Sequence, residues 1–287
     1  MFKADLHVHS SASDGRYSPA EIVHKAVDNG LTFMALTDHD TVEGIAPALA
    51  AGSEFDGFTL IPGIEISTDV SNGEVHILGY FIDYTDQSFK TSLEKMRNSR
   101  YERARKMVEK LRKLGCEIKW ERVKEIAGSA AMGRPHIAEA LLEKEYIKSF
   151  NEAFTKYIGY GCPAYVEREK LTPAEAVQLI IRTGGLPVMA HPYTMTEPEA
   201  LIRELKDIGL AGIETYYKDY SRKEVNSLLA IARKYKLVPT GGTDYHGIDG
   251  NAETMLGGMN VPMSSINELF ALAEQKGLKP LGMKVRK

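Results

Sequence analysis

Cysteine is almost missing from this chain: Cys116 and Cys162 are the only two in 287 residues. That is too few for the disulfide frameworks that hold small secreted domains, so reduced thiols and a cytoplasmic protein are the expectation. No apolar run is long enough to span a bilayer and no signal-like stretch precedes the first strand, so no membrane association is expected. An excess of one charge is missing too. The formal net charge of −3 argues against a nucleic-acid or membrane surface in bulk, and any anion binding has to be local. What remains is an ordinary soluble composition, 43% hydrophobic and 26% charged, on a chain long enough for one barrel-sized core.

The apolar pattern alternates between strand and helix over the first eighty residues. A short buried strand around Leu6 and Val8 leads to Ser18-Pro19-Ala20-Glu21, a capping box with proline at the first helical position. A helix follows to Asn29-Gly30, then a strand at 33–37, a helix from about Val42 to Phe55, and strand-like runs at 59–66 and 75–81. This rhythm predicts a parallel α/β sheet. It breaks between about 89 and 165, where a long charged helix (89–114) and shorter ones near 119–127, 134–145 and 150–158 are expected. Apolar periodicity persists there, so the segment reads as a helical insertion. The rhythm resumes with capping boxes at Thr172–Glu175 and Ser221–Glu224, strands at 186–190, 211–215 and 237–240, and a last helix near 264–276. About seven strands with intervening helices suggest a barrel built from 1–88 and 166–287, with 89–165 inserted over its active-site face.

The ligand-type residues fall on this map in one place. His7, His9, His39, Glu65, His191, Asp244 and His246 sit at or just past predicted strand ends; His76 lies inside a strand and Asp14 in the first loop. In a parallel barrel those ends converge on the face where active sites are built. Six of the eight histidines belong to this set. Singly each has a bland reading: His39 as a turn residue, His76 as a core histidine, His191 as a strand end. Jointly they do not, because nine such donors on one face would desolvate and repel one another without cations. Imidazole and carboxylate without thiolate suit Mn, Zn or Fe, and nine ligands suit two to three divalent ions. Three such ions would carry twice the charge that Asp14, Glu65 and Asp244 cancel, and the surplus would attract an anion such as phosphate.

The motifs D-L-H-V-H-S, S-D-G, T-D-H-D, G-I-E-I-S, E-V-H-I-L-G-Y, A-H-P and T-D-Y-H-G resemble, in order, those of the PHP (polymerase and histidinol phosphatase) family. The resemblance implies a distorted (β/α)7 TIM-like barrel with a trinuclear metal centre. By family pattern, His7, His9, Glu65 and Asp244 would hold one ion. Glu65 would bridge to a second held with His76 and His191, and Asp14, His39 and His246 would hold the third. Within that family, a single barrel with a helical insertion resembles the phosphatases of nucleoside 3',5'-bisphosphates, whose relatives also trim short 5'-phosphorylated RNA. Gly133-Arg134-Pro135-His136 favours this, with Arg134 offering a planar fork to phosphate oxygens. Arg134, His136 and Arg100 are the substrate-binding candidates.

The implied reaction is metal-assisted phosphomonoester hydrolysis. His191, His246 and Asp244 are the catalytic candidates, the two histidines as proton donors to the leaving oxygen, and Asp38 and Asp40 could orient ligands. A phosphorylated small molecule or nucleotide is the expected partner, with no obligate protein partner evident. Three rivals stay open: a histidinol-phosphate-type phosphatase, an amidohydrolase-like C–N hydrolase, and a metal-stabilised module with a redundant site. The complete ligand set weighs against the last.

Overall fold

The computed structural model describes residues 3–70, 73–128, 132–167, 171–247 and 254–278. Among them, seven strands form one sheet in chain order: β1 (Ala4–Val8), β2 (Phe33–Leu36), β3 (Thr59–Val70), β4 (Gly73–Tyr80), β5 (Leu186–Met189), β6 (Gly212–Tyr217) and β7 (Val238–Gly242). The sheet is a nearly closed mixed barrel. β1, β2 and β3 are parallel neighbours, as are β5, β6 and β7, but β4 runs antiparallel to both β3 and β5. An all-parallel sheet was the expectation from the apolar rhythm, and here it is corrected. No helix separates β3 from β4, so the chain turns straight back as a hairpin. The reversal also explains why His76 lies near the start of its strand: that end of β4 stands beside the later residues of β3, with His76 opposite Ser67.

Ten α-helices lie among the described residues: α1 (Pro19–Asp28), α2 (Ile45–Gly52), α3 (Gln87–Lys113), α4 (Trp120–Ala127), α5 (Arg134–Glu143), α6 (Phe150–Ala153), α7 (Pro173–Arg182), α8 (Pro198–Ile208), α9 (Arg222–Tyr235) and α10 (Met263–Gln275). Three of them start at the capping boxes read from the sequence, Ser18–Glu21, Thr172–Glu175 and Ser221–Glu224, each with side chain and backbone bonded reciprocally. α2 is shorter than its apolar pattern suggested, and the run at 150–158 divides into α6 and a π-helical turn, Phe154–Ile158. No helix among the described residues is long and apolar enough to cross a membrane.

The chain forms two compact units, residues 1–90 with 171–287, and residues 91–170. In the first, alternate residues of the strands, among them Leu6, Ala35, Ile61, Leu78 and Val188, fill the barrel interior. The last helix, α10, adds Ile266, Leu269 and Ala273 to that core. Its Phe270 packs edge-on against Phe33 and Phe81, with ring centroids 5.8 and 5.2 Å away. Phe33 opens β2 and Phe81 follows the reversed β4, so α10 seals the barrel at the end opposite the clustered histidines. The helical unit has its own core, in which Met107, Leu111, Val123, Ile137, Leu141 and Ile158 are buried.

β1 and β7 close the barrel. The Tyr245 N–H donates to the His7 carbonyl at 3.3 Å and the His9 N–H to the Tyr245 carbonyl at 2.9 Å. Gly242 permits the approach, since a Cβ there would fall 2.5 Å from the His7 backbone nitrogen. Below this seam the buried Asp5 carboxylate accepts from the Thr243 hydroxyl (2.6 Å) and from the N–H groups of Thr243 (2.9 Å), Gly257 (2.8 Å) and His7 (3.3 Å). Asp5→Ala strands these donors where water cannot reach them. With an unsatisfied buried group costing about 1–3 kcal/mol, the variant should lose on the order of 3–5 kcal/mol. Urea unfolding in the presence of chelator measures it, and an unchanged midpoint would show that the seam does not depend on Asp5.

Candidate metal centre

At the C-terminal end of β1 the alternation of strand side chains sets His7 and His9 on one face, both fully buried, with ring centroids 5.2 Å apart. They converge on Glu65 of β3, which is 1% exposed and lies at the middle of the cluster. Its Oε2 is 3.2 Å from His7 Nε2, 3.2 Å from His9 Nε2 and 3.1 Å from His39 Nδ1. Its Oε1 is 2.8 Å from His76 Nδ1 and 3.2 Å from His191 Nε2. Asp244, just past β7, brings Oδ1 to 3.1 Å from His9 Nε2 and 3.4 Å from His7 Nε2. Asp14 faces His246 Nε2 at 3.4 Å, His9 Nδ1 at 3.8 Å and His39 Nε2 at 3.9 Å. All nine metal-type residues of the sequence reading therefore meet in the barrel unit.

Neighbouring polar groups hold these donors in place. Asp38 accepts at 2.7 Å from the Ser10 N–H, the Ser10 hydroxyl and the Ser13 hydroxyl, so it anchors the loop that carries His9 and Asp14. The Asp40 carboxylate accepts from the Ser67 N–H at 2.9 Å and ties the turn after His39 to β3. Asp244 is fixed through Oδ2, which accepts from the Tyr217 hydroxyl at 2.9 Å and lies 3.5 Å from Lys218 Nζ. Three non-glycine residues here have left-handed backbone: Asp40 (φ 51°), His191 (φ 26°) and Asp244 (φ 51°). Each costs on the order of 1–3 kcal/mol and persists only where the surroundings over-determine it.

Three groups of side chains could each hold a cation: His7, His9, Glu65 and Asp244; His39, Glu65 and His76; and His9, Asp14, His39 and His246. Within each group the offered atoms lie within 4.8 Å of one another. His9 and His39 each belong to two groups, and Glu65 joins two. Six buried atoms of these groups make no hydrogen bond: His7 Nε2, both ring nitrogens of His9, Asp14 Oδ1, His39 Nδ1 and Glu65 Oε2. Unpaired buried polar atoms are expensive, and these are lone-pair donors aimed at one another. Such a set fits divalent cations.

The charges point the same way. Burial alone would raise Glu65, but the imidazoles of His39, His7 and His76 outweigh it and hold the carboxyl well below its usual range. Asp14 and Asp244 behave alike, burial being overcome by His39 and His246 for the first and by His7 and His246 for the second. Burial lowers His9, but the carboxylates of Asp244 and Glu65, 3.1 and 3.2 Å from its Nε2, lift it to about 10. His39 is pushed down to about 3, because burial and the nearby charges of His9 and His76 outweigh Glu65 and Asp14. His39 is thus neutral and able to ligate, while His9 must give up a proton to do so.

Arg100, Arg134 and His136 belong to the helical unit. The Arg134 guanidinium lies over the Phe154 ring, 5.4 Å from its centroid, and His136 Nδ1 accepts the Gly133 N–H at 3.0 Å, capping α5. Sequence reasoning missed Asp5, Glu214, Tyr217 as the Asp244 partner, and Lys218. Glu214 is fully buried in β6, with His7 Nδ1 3.0 Å from Oε1. The one available signal was an acidic residue inside an apolar strand, where an unpaired charge does not belong.

The family model described as PHP domain matches residues 5–168. The chain is 34% identical over 248 residues to a 5'-3' exoribonuclease of Haemophilus influenzae, covering 85% of this chain and 90% of that protein. It is 32% identical over 251 residues to a 3',5'-nucleoside bisphosphate phosphatase of Chromobacterium violaceum, covering 86% and 88%. A solved structure from Chromobacterium violaceum, described as an amidohydrolase with bound sulfate and no metal, matches with a TM-score of 0.86 at 29% identity over 96% of each chain.

Loading with Mn²⁺ or Zn²⁺ should release protons. His9 stays protonated up to about pH 10 in the ion-free protein, above its ordinary 6.5, and a ligating nitrogen cannot keep that proton. Apparent affinity should therefore rise as pH rises between those two values. Calorimetry in buffers of different ionisation heat reads the release, and heats independent of the buffer would contradict it.

Proposed function

The chain belongs to the PHP-domain family of metal-dependent phosphoesterases, and on that premise we propose that it removes the 3'-phosphate of nucleoside 3',5'-bisphosphates and also acts on short 5'-phosphorylated RNA. It is a hydrolase of phosphate esters; the choice of ester is the proposal. The observation that carries the reading is the set of overlapping donor groups that share Glu65, His9 and His39. Two relatives named for nucleotide substrates, each matched over most of its length, support the nucleotide class.

In this reading His7, His9, Glu65 and Asp244 hold one ion. His76 and Glu65, joined by His191 and with His39 at the same carboxylate, hold a second, and Asp14, His39 and His246 with His9 hold a third. Manganese, zinc or iron suits these nitrogen and oxygen donors. Bound there, the ions supply positive charge and Lewis acidity to a phosphoryl group and lower the pKa of water. The protein's own part is orientation. Tyr217 and Lys218 take Asp244 Oδ2 and leave Oδ1 turned to His7 and His9. His246 donates from Nδ1 to the Asp244 carbonyl, 3.0 Å away, and its Nε2 faces Asp14 at 3.4 Å. Proton delivery to the leaving oxygen is assigned to His191, His246 or solvent.

Arg134, His136 and Arg100 are proposed as contacts to substrate phosphate, on the strength of the family resemblance and of the guanidinium fork of the two arginines.

The deciding measurement is phosphate release by the Mn²⁺-loaded protein from 3',5'-bisphosphate nucleotides, 5'-monophosphates, histidinol phosphate and short 5'-phosphorylated RNA. Selective release from the bisphosphates and the RNA is expected. Arg134→Ala should raise KM for them by roughly tenfold or more, the worth of a charge-assisted phosphate contact. Equal rates on every ester would reduce the reading to a general phosphatase, and an unchanged KM would remove Arg134 from it.

A further inference from the structure

Glu214 bridges two ligands that come from distant parts of the chain. Its Oε1 lies 3.0 Å from His7 Nδ1, and its Oε2 accepts the His191 backbone N–H at 2.8 Å. All three residues are buried, Glu214 and His7 completely. We propose that Glu214 is the positioning residue of the metal centre: it holds His7 with the proton on Nδ1, so that Nε2 is offered to the ion, and it pins His191 in the backbone conformation that aims its ring at Glu65. The inference rests on the metal-centre reading and adds the residue that orients it.

Carboxylate oxygens accept hydrogen bonds, and the 3.0 Å approach of His7 Nδ1 to Glu214 Oε1 is that of an N–H donor on this nitrogen. A neutral imidazole with its proton on Nδ1 carries its lone pair on Nε2. His7 Nε2 is the buried nitrogen that makes no hydrogen bond, 3.2 Å from Glu65 Oε2 and 3.4 Å from Asp244 Oδ1. The other oxygen acts on backbone. His191 has φ 26° and ψ 63°, a left-handed setting that a β-carbon disfavours and that needs an external hold. The bond from its N–H to Glu214 supplies that hold. With it His191 Nε2 stands 3.2 Å from Glu65 Oε1. One side chain therefore governs a tautomer on β1 and a turn after β5.

Glutamine separates this role from simple packing, because Glu214→Gln keeps the shape and changes the donors. The amide has one accepting oxygen and one donating nitrogen. The His191 N–H can only donate and takes the oxygen, so the amide nitrogen faces His7 Nδ1. That nitrogen must then accept, the proton moves to Nε2, and the ligating lone pair is lost.

The test combines nitrogen-15 imidazole spectra with metal analysis, on wild-type protein and E214Q, each titrated with Zn²⁺. Wild type is expected to show His7 protonated on Nδ1 in the loaded state. E214Q is expected to show the proton on Nε2 and to bind one ion about 10- to 100-fold more weakly. Should E214Q not fold, the wild-type spectrum decides alone: a His7 proton on Nε2 in the loaded protein overturns the proposal. Unchanged tautomer and affinity in a folded E214Q overturn it as well, while leaving the metal centre standing. Wild-type protein that takes up no ion overturns the metal centre, and this inference falls with it.

Discussion

Five imidazoles crowd one carboxylate. Glu65, withdrawn from water, has ring nitrogens of His7, His9, His39, His76 and His191 within 3.2 Å, and several of these atoms have no hydrogen-bond partner. Left alone this is a costly arrangement, since so many ionisable groups are withdrawn from water together and several of their buried polar atoms go unpaired. The surrounding structure exists to maintain it. Asp38 anchors the loop of His9 and Asp14, Asp40 ties the turn after His39, and left-handed backbone at Asp40, His191 and Asp244 accepts strain in order to aim side chains. A cation that relieves the crowding stabilises the folded chain by its own binding free energy, so ion uptake and stability are one quantity.

Phosphate esters are common to the activities named for the matched exoribonuclease and bisphosphate phosphatase. The donor set accounts for what those activities share, because divalent charge serves any phosphoryl group regardless of what is attached to it. Choice among esters has to come from groups that touch the remainder of the substrate. Arg134, His136 and Arg100 are the groups proposed for that choice, and the donor set by itself does not supply it.

Much of the centre was legible in the sequence, for physical reasons that differ by residue. His7 and His9 are two apart in a strand, and a period of two puts them on one face whatever the rest of the chain does. His39, His191, Asp244 and His246 each follow a short apolar run, where a parallel strand ends. The capping boxes were equally plain, since a hydroxyl and a carboxylate at that spacing have few other uses. The direction of β4 was legible only in spacing: the stretch between the runs at 59–66 and 75–81 is too short for a crossover helix and calls for a hairpin, a signal that the strand–helix rhythm on either side obscures. Glu214 and Asp5 escaped notice because each is a lone acidic residue in an apolar strand. Their meaning depends on partners far along the chain: Asp5 bonds residues 238 and 252 positions away, and Glu214 meets His7 across 207.

Those separations bear on how the molecule comes into being. During synthesis the first ligands leave the ribosome within β1, yet the residues that latch that strand, Thr243 and Gly257, follow Asp5 by 238 and 252 positions. Until then β1 has one edge unsatisfied, the interior is open where α10 will lie, and the histidines have no fixed geometry to offer. Contacts of such long range make closure the slow step. A nascent or truncated chain would therefore hold most of the ligands and none of the site. The donor geometry is acquired only when that seam closes.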